Sequence, residues 1–183
     1  YTIVLVPSMV LVEIFLLAAA VWWGPHKHRL PLSSLGLRTP EQARAWLPPG
    51  MAVAGLAAVY GFEVLVALAG GDAATTPDAV FENAGPFMVV AVGAILMAPV
   101  IEEIFFRGFM FGGLRGRMDW RWAALLSSVV FALAHLSLYG IPPIAAIGFM
   151  FAWSYQYTGS LRPGMIAHAL INTVTVGVGL LTV

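Results

Sequence analysis

Apolar residues occur along this chain in six long runs that are separated by short polar segments. Each run approaches the roughly 17–25 residues that a helix needs to cross the hydrocarbon core of a bilayer. The pattern predicts six membrane-spanning helices, at Thr2–Trp23, Leu47–Leu68, a run from near Pro86 through Glu102 and Glu103, Trp122–Leu138, Ile141–Tyr157 and Pro163–Val183.

Composition identifies the solvent that these helices face. Of the 183 residues, 60% are hydrophobic and only 10% are charged, whereas a soluble domain has about 25% charged residues. So few charges cannot cover a water-facing surface, and we expect the chain to lie in a lipid bilayer. The pattern indicates an all-α, polytopic membrane helix bundle that forms one domain over residues 1–183, with a motif-bearing core at about 86–183.

Two absences from the sequence exclude whole classes of function. The chain has no cysteine, so disulfides, thiolate catalysis and cysteine-bound metals are excluded. It also has no basic tract of the kind that binds nucleic acid, so no nucleic-acid partner is expected.

The first apolar run lacks a basic leader and is too long for a signal-peptide core, so we expect a spanning helix there. Because the chain begins with Tyr1 instead of methionine, we expect a trimmed or mature form.

The basic residues indicate how the helices are oriented. If six spans alternate, all nine lysines and arginines fall in or beside the first, third and fifth loops. The positive-inside rule then places these three loops in the cytoplasm and the N-terminus outside. The basic residues are Lys27, Arg29, Arg38 and Arg44 in the first loop, Arg107, Arg115, Arg117 and Arg121 in or beside the third, and Arg162 in the fifth.

The first loop, GPHKHRLPLSSLGLRTPEQARAW, is long, basic and partly amphipathic. We expect it to be a surface segment that is attracted to anionic lipid headgroups. A role in guiding the substrate is the alternative.

Polar residues inside the predicted spans are few, and each costs free energy in lipid. Such residues usually face the interior of a bundle or a water-filled cavity. Two of them, Glu13 and Glu63, stand alone in the sequence and receive no role. The full set is Glu13, Glu63, Glu102, Glu103, Arg107, His135, His168 and Asn172.

Spacing divides the remaining residues between structure and chemistry. Glu103 and Arg107 are four residues apart, so they share a helix face and can pair, which allows an arginine to lie at membrane depth. Glu102 points about 100° away from Glu103 on an ideal helix, so it is free for another partner. His168 and Asn172 are also four residues apart and project from one face of the last span.

Counting along the helices places these side chains at similar depth. From the basic end, Glu102 and His135 each lie roughly 20 Å into the membrane, and His168 and Asn172 lie about 9 and 15 Å deep. Helix tilt can close that difference. We therefore expect the four side chains to line one cavity that is reachable from the cytoplasmic side.

A carboxylate, two imidazoles and a carboxamide have the chemistry to hydrolyse an amide without a serine or cysteine nucleophile. The carboxylate can act as a general base on water, and a histidine can share that water and pass its proton to the leaving amine. A second histidine and an asparagine can donate hydrogen bonds to the oxyanion. As an alternative, Glu102, His135 and His168 could ligate Zn²⁺, although the helical zinc motif HExxH does not occur.

Each of these features alone is more typical of packing than of catalysis. A lone histidine in a span is usually a hydrogen-bonded packing residue, and a lone EExxxR run can clamp two helices together. Apolar residues would pack at lower cost than four converging polar groups, so the joint pattern favours a functional site.

Three motifs in this order resemble a known family. They are EEIFFR (EExxxR), FALAH (FxxxH) and HALIN (HxxxN), each on a separate predicted span. The arrangement is similar to that of the CAAX protease and bacteriocin-processing (Abi) family of intramembrane proteases, which includes the Ras-converting CAAX endopeptidases. The resemblance covers roughly residues 86–183, and the first two spans match only as hydrophobic helices.

The resemblance implies a role for each motif residue. Glu102 would activate a water molecule with help from His135, and an oxyanion site would be formed by His168 and Asn172. The supporting positions of the family are filled by Glu103, Arg107 and Phe131, of which Phe131 would line the site. The resemblance favours catalysis without a cofactor, with a divalent metal such as zinc as the alternative.

The implied activity is hydrolysis of a peptide bond in a membrane-associated protein or peptide, with a prenylated CAAX protein as one candidate. Besides this substrate, the lipid bilayer is the expected partner. Two other classes of function stay open, a non-catalytic membrane binding or immunity protein and a proton-coupled transporter. A transporter predicts repeated halves, and the residues that flank His135 and His168 do not recur in this way.

Overall fold

The structure is a computed structural model that describes residues 2–40, 45–71 and 89–182. In this part of the chain the backbone is mostly helical and contains no β-strand. Six long helices follow one another along these residues, as the apolar runs predict. They are α1 (Thr2–Val21), α2 (Leu47–Leu68), α3 (Val89–Leu114), α4 (Trp120–Ala134), α5 (Ile141–Thr158) and α6 (Arg162–Thr182).

The predicted all-α membrane bundle is confirmed. Among the described residues, four helices are long and apolar enough to cross a bilayer, at Pro7–His26, Leu47–Leu68, Val89–Leu114 and Arg162–Leu181. α4 is apolar but has only 15 residues, which gives it a length of about 22 Å. Because the hydrocarbon core is roughly 30 Å thick, α4 ends inside the bilayer if it starts at the surface.

Some predicted features lie outside the described residues. They are the start of the third span near Pro86, the basic residue Arg44, and the end of the last span at Val183.

The fourth span, predicted at Trp122–Leu138, begins and ends earlier than expected. The side chain of Asp119 caps its first turn and accepts a hydrogen bond of 2.9 Å from the N–H of Arg121. The helix ends before His135, because Leu136 takes a left-handed backbone conformation with a φ of 55°. His135 therefore lies at the C-terminal end of a helix, whereas the pattern predicted it inside a span.

α3 is the central helix of the bundle. It contacts α1, α4, α5 and α6, whereas α2 packs against α5 and α6. α4 and α5 are joined by a short turn and pack along one another. Polar side chains on α3 can therefore face protein on several sides, which is where ionisable residues in a membrane are tolerated.

The first, third and fifth loops meet at one end of the bundle. Arg38 of the first loop donates a hydrogen bond of 2.6 Å from Nε to the carbonyl oxygen of Gly159, and its own carbonyl oxygen accepts one of 2.6 Å from Oγ of Ser160. Arg115, near the third loop, donates from Nη1 to Oε1 of Gln156 at 3.0 Å. These contacts place three basic loops together, as alternating spans require.

Most described residues of the first loop are exposed, as expected of a surface segment, but Leu35 and Gly36 in its middle are buried. Leu35, in the short 3₁₀ helix Leu32–Leu35, is 4% exposed and belongs to the hydrophobic cluster that contains Leu161. The next residue, Gly36, accepts a hydrogen bond of 3.0 Å from the N–H of Leu161. The loop therefore ties α1 to the end of the bundle where α6 begins.

Gly36 provides a test of this attachment. We expect Gly36→Ala to lower the melting temperature in detergent by at least ~3 °C more than Gly70→Ala. Both glycines have positive φ, 88° and 78°, so alanine strains the backbone at either position. A Cβ at Gly36 would also lie 2.5 Å from Cε2 of Tyr155, whereas no described atom lies within 4 Å of one at Gly70. Equal shifts in the two variants would contradict a buried loop.

Candidate active site

α3 changes its helical geometry at the two adjacent glutamates. The backbone is α-helical over Ala98–Glu102 and π-helical over Glu103–Phe111. A π-helix has more residues in each turn than an α-helix, and short π segments inside α-helices are frequent at functional sites. Successive side chains here therefore point closer together than an ideal α-helix predicts.

Glu103 and Arg107 form a buried ion pair. Nη1 of Arg107 lies 2.9 Å from Oε1 of Glu103, and the two side chains are 0% and 1% exposed. The pairing expected from their four-residue spacing is therefore observed. Burial of both partners means that neither charge is compensated by water.

Aromatic rings from three helices surround the Arg107 guanidinium. Its Cζ lies 4.2 Å from the ring centroid of Phe131 on α4, 5.4 Å from that of Phe151 on α5 and 5.9 Å from that of Phe106 on α3. A cation near an aromatic face is attracted by the ring, by about 2 kcal/mol or more where water is excluded. The guanidinium thus connects three helices.

Two glycines make room for the ion pair. A Cβ at Gly148 on α5 would lie 2.9 Å from Nη2 of Arg107, and one at Gly164 on α6 would lie 3.0 Å from Oε2 of Glu103. Gly164 lies in the first turn of α6, where free N–H groups favour a negative charge. Sequence reasoning missed both residues, and the only available signal is a glycine inside an apolar span, where close helix contact is common.

His168 lies between the two carboxylates. Its Nε2 is 3.7 Å from Oε2 of Glu102, and its Nδ1 is 3.7 Å from Oε1 of Glu103. Both distances exceed the range of a hydrogen bond, so the ring is not committed to either partner. Glu103 therefore does more than hold Arg107, because the π turn brings both carboxylates to one imidazole. The ring is 5% exposed and lies near Phe151, with 5.4 Å between centroids.

His135 is held by its own helix. Its Nδ1 lies 2.8 Å from the carbonyl oxygen of Phe131, and the two rings meet edge to face with centroids 4.7 Å apart. A carbonyl oxygen can only accept, so Nδ1 carries the proton that is donated. In the neutral ring, Nε2 then carries the lone pair and can accept a hydrogen bond from a water molecule.

Asn172 connects α6 to α3. Its Nδ2 donates a hydrogen bond of 2.7 Å to the carbonyl oxygen of Ala94. Ala94 lies in a second π-helical turn of α3, Gly93–Met97, where the backbone bonding pattern is altered. A carboxamide has two N–H donors, so one remains when the other is bound to Ala94.

A cavity of about 160 Å³ lies beside these groups, with room for several water molecules. Three of the four expected catalytic residues, His135, His168 and Asn172, line the cavity. Glu102 does not line it, but its carboxylate lies 3.7 Å from His168, which does. The expectation that all four side chains line one cavity is therefore corrected to three. The lining residues are Val59, Phe131, His135, Pro143, Ile144, Ile147, His168, Ile171, Asn172 and Thr175.

The cavity lies in the half of the bundle away from the basic loops. Its lining includes Pro143 and Ile144 in the first turn of α5 and His135 at the end of α4. The other end of α5, at Thr158, is the one that meets the basic loops. The lining residues therefore lie toward the end of the bundle opposite the basic loops, and the opening of the site toward the cytoplasm stays a prediction.

The described residues contain no group of three His, Cys, Asp or Glu side chains that is arranged to hold a metal ion. The alternative ligand set of Glu102, His135 and His168 is therefore not assembled in this arrangement. Glu102 approaches His168, whereas His135 is turned toward the carbonyl oxygen of Phe131.

A larger, apolar cavity of about 390 Å³ lies between α1 and α3 and includes Glu13. It shares no lining residue with the histidine cavity. Glu13, to which no role is assigned from its sequence position, therefore lies beside a different cavity from His135, His168 and Asn172.

Comparison with known proteins identifies relatives of this part of the chain. Residues 84–174 match the family described as type II CAAX prenyl endopeptidase Rce1-like, and this stretch includes every motif position from Glu102 to Asn172. The Bacillus subtilis protein named "Putative membrane peptidase YdiL" is 34% identical over 94 residues, which make up 51% of this chain. The aligned region spans only 38% of the length of that curated relative. No solved structure matches the chain.

Gly148 provides a test of the ion-pair site. We expect Gly148→Ala to lower the melting temperature and the folded yield, because overpacking a tight contact costs about 1–3 kcal/mol. The control is Gly177→Ala on α6, where no described atom lies within 4 Å of an added Cβ. Alanine favours helix formation there and should leave stability unchanged or slightly higher. A tolerated Gly148→Ala variant would argue against the tight contact with Arg107.

Proposed function

The chain belongs, through residues 84–174, to the Rce1-like family of CAAX prenyl endopeptidases, and we propose that it is an intramembrane endopeptidase. It hydrolyses a peptide bond in a membrane-associated protein or peptide, and water activated by Glu102 and His135 is the attacking group. The observation that carries this proposal is that two imidazoles and a carboxamide line one cavity and that the carboxylate of Glu102 lies 3.7 Å from one of these imidazoles, all within the residues that match the family.

Glu102 is the general base in this proposal. Glu103 forms an ion pair with Arg107, whereas the buried Oε2 of Glu102 lies 3.7 Å from Nε2 of His168. A carboxylate within reach of a water molecule can take its proton while the water oxygen bonds to the carbonyl carbon of the substrate.

His135 shares the attacking water. The Nδ1–H bond to the carbonyl oxygen of Phe131 leaves Nε2 as the acceptor on the neutral ring. After the oxyanion forms, its electron pair returns to the carbon and the C–N bond breaks. The proton taken by Glu102 then reaches the leaving nitrogen by way of His135, so the products are a carboxylic acid and a free amine.

The oxyanion is stabilised by His168 and Asn172. One N–H of Asn172 donates to Ala94, which fixes the plane of the carboxamide and leaves the second N–H for the oxyanion. Donors that are held in place before the reaction need no reorganisation when charge develops. His168 lines the same cavity, and its ring is at 3.7 Å from each carboxylate.

The substrate is a peptide that is held at membrane depth. α4 is too short to cross the hydrocarbon core, and the cavity at its end is lined mostly by apolar side chains. A lipid-modified protein places the peptide beside its lipid at such a depth, and a prenylated CAAX-type protein is the candidate that the family description suggests. By the positive-inside rule the three basic loops face the cytoplasm.

The proposal is tested with purified protein and two membrane-anchored peptides, one prenylated and one acylated. Glu102→Gln keeps the shape of the side chain but removes its basicity, so we expect the cleavage rate to fall by about 10²–10⁴-fold. His135→Ala should be similarly severe, and Asn172→Ala milder, at roughly 10²–10³-fold. Glu63→Gln on α2 is the matched control, because it also removes a carboxylate from a span but lies outside the cavity lining.

Each outcome has a distinct meaning when the variants are first tested for folding. Cleavage by Glu102→Gln at the parent rate would overturn the mechanism. A folded parent that binds but never cleaves either peptide would favour the binding or immunity protein, and proton-coupled uptake by vesicles would favour the transporter. Loss of cleavage with a chelator, restored by Zn²⁺, would make Glu102, His135 and His168 metal ligands.

A further inference from the structure

The turn after α4 contains a backbone conformation that leucine rarely adopts. Leu136 has a φ of 55°, in the left-handed region, where the Cβ of an L-residue approaches the following carbonyl oxygen. Glycine or asparagine is the usual residue in this position after a helix. Such strain persists only where the surrounding structure maintains it, and it is concentrated at functional sites.

The left-handed residue changes which groups bond at the end of α4. The N–H of His135 bonds to the carbonyl oxygen of Ala132, and the N–H of Leu136 bonds to that of Leu133, each at 3.1 Å. In a continuing α-helix, the N–H of His135 would instead bond to the carbonyl oxygen of Phe131. That oxygen accepts a hydrogen bond of 2.8 Å from Nδ1 of the His135 ring.

We propose that Leu136 is a positioning residue that fixes the tautomer of His135. By ending the helix, it frees the carbonyl oxygen of Phe131 to accept from Nδ1–H, and the lone pair of the neutral ring is then at Nε2. The tautomer follows from the turn alone. Its importance for catalysis rests on the proposed function, in which Nε2 accepts from the attacking water.

The turn is held on both sides, so the left-handed residue is maintained. Ser137 follows Leu136, and its Oγ accepts a hydrogen bond of 3.1 Å from the N–H of Gly140. α5 begins directly after Gly140. The side chains of Leu136 and Leu138 are 94% and 84% exposed.

Two substitutions at one position separate backbone conformation from side-chain loss. Leu136→Gly adopts positive φ without strain, so it should keep the Nδ1–H tautomer. Leu136→Ile has the same size and polarity, but its branched Cβ disfavours positive φ, so it should lose this tautomer. The control is Leu138→Ile, a similarly exposed leucine that is not among the described residues with positive φ. It should behave like the parent.

The tautomer is measured by nitrogen NMR on histidine-labelled protein in detergent, and the His135 signals are assigned from a His135→Gln spectrum. The parent, Leu136→Gly and Leu138→Ile should show a protonated Nδ1 and an unprotonated Nε2, with Leu136→Ile showing the reverse or a mixture. The kcat of Leu136→Ile should fall by ~10–100-fold. This loss is smaller than the full contribution of general acid–base catalysis, because His135 is still present but in the wrong tautomer.

The tautomer readout needs no substrate, so it fails or succeeds separately from the proposed function. A parent protein with a protonated Nε2, or a Leu136→Ile variant with unchanged tautomer, would overturn the positioning role. The spectrum of the parent tests the proposal even if Leu136→Ile does not fold. If the tautomers are as predicted but the protein cleaves no peptide, the role of Leu136 in fixing the tautomer stands. Only the proposed hydrolase activity is then contradicted.

Discussion

The buried ion pair between Glu103 and Arg107 is the interaction on which the interior of the bundle depends. Removing either partner would leave a lone charge in a site without water, at a cost of roughly 3–5 kcal/mol. The surroundings are arranged accordingly, with aromatic rings from α3, α4 and α5 around the guanidinium. Glycines on α5 and α6 provide the space for its charged groups. Four helices are thereby fixed around one pair of side chains.

The same pair sets the positions of the groups to which we assign chemistry. Glu103 approaches one nitrogen of His168, and the π turn that begins at Glu103 leaves Glu102 near the other. Asn172 then joins α6 to a second π turn of α3 through its bond to Ala94. Structural and chemical roles are thus divided between neighbouring residues on the same helices, which explains why an apolar chain tolerates three charges within one short stretch.

Much of this arrangement could be predicted from sequence, because a chain with so little charge lies in lipid, where the backbone polar groups must be hydrogen-bonded within helices. Helix number, the common end of the basic loops and the pairing of Glu103 with Arg107 follow from hydrophobic run length and four-residue spacing. The π geometry could not be predicted, since no residue type encodes it, and so the approach of both carboxylates to His168 was missed. The early end of α4 was also missed, because leucine at position 136 gives no signal for a left-handed turn.

In the proposed mechanism, water activated at Glu102 cuts a peptide bond directly while Glu103 stays paired with Arg107. The most direct measurement is a single-turnover reaction of a membrane-anchored peptide in water enriched in heavy oxygen, followed by mass spectrometry of product and protein. Direct attack by water places one heavy oxygen in the new C-terminal carboxylate of the peptide and none in the protein fragment that contains Glu102. A heavy oxygen on that fragment would indicate covalent attack by the carboxylate, and an uncut peptide with folded protein would contradict the hydrolase itself.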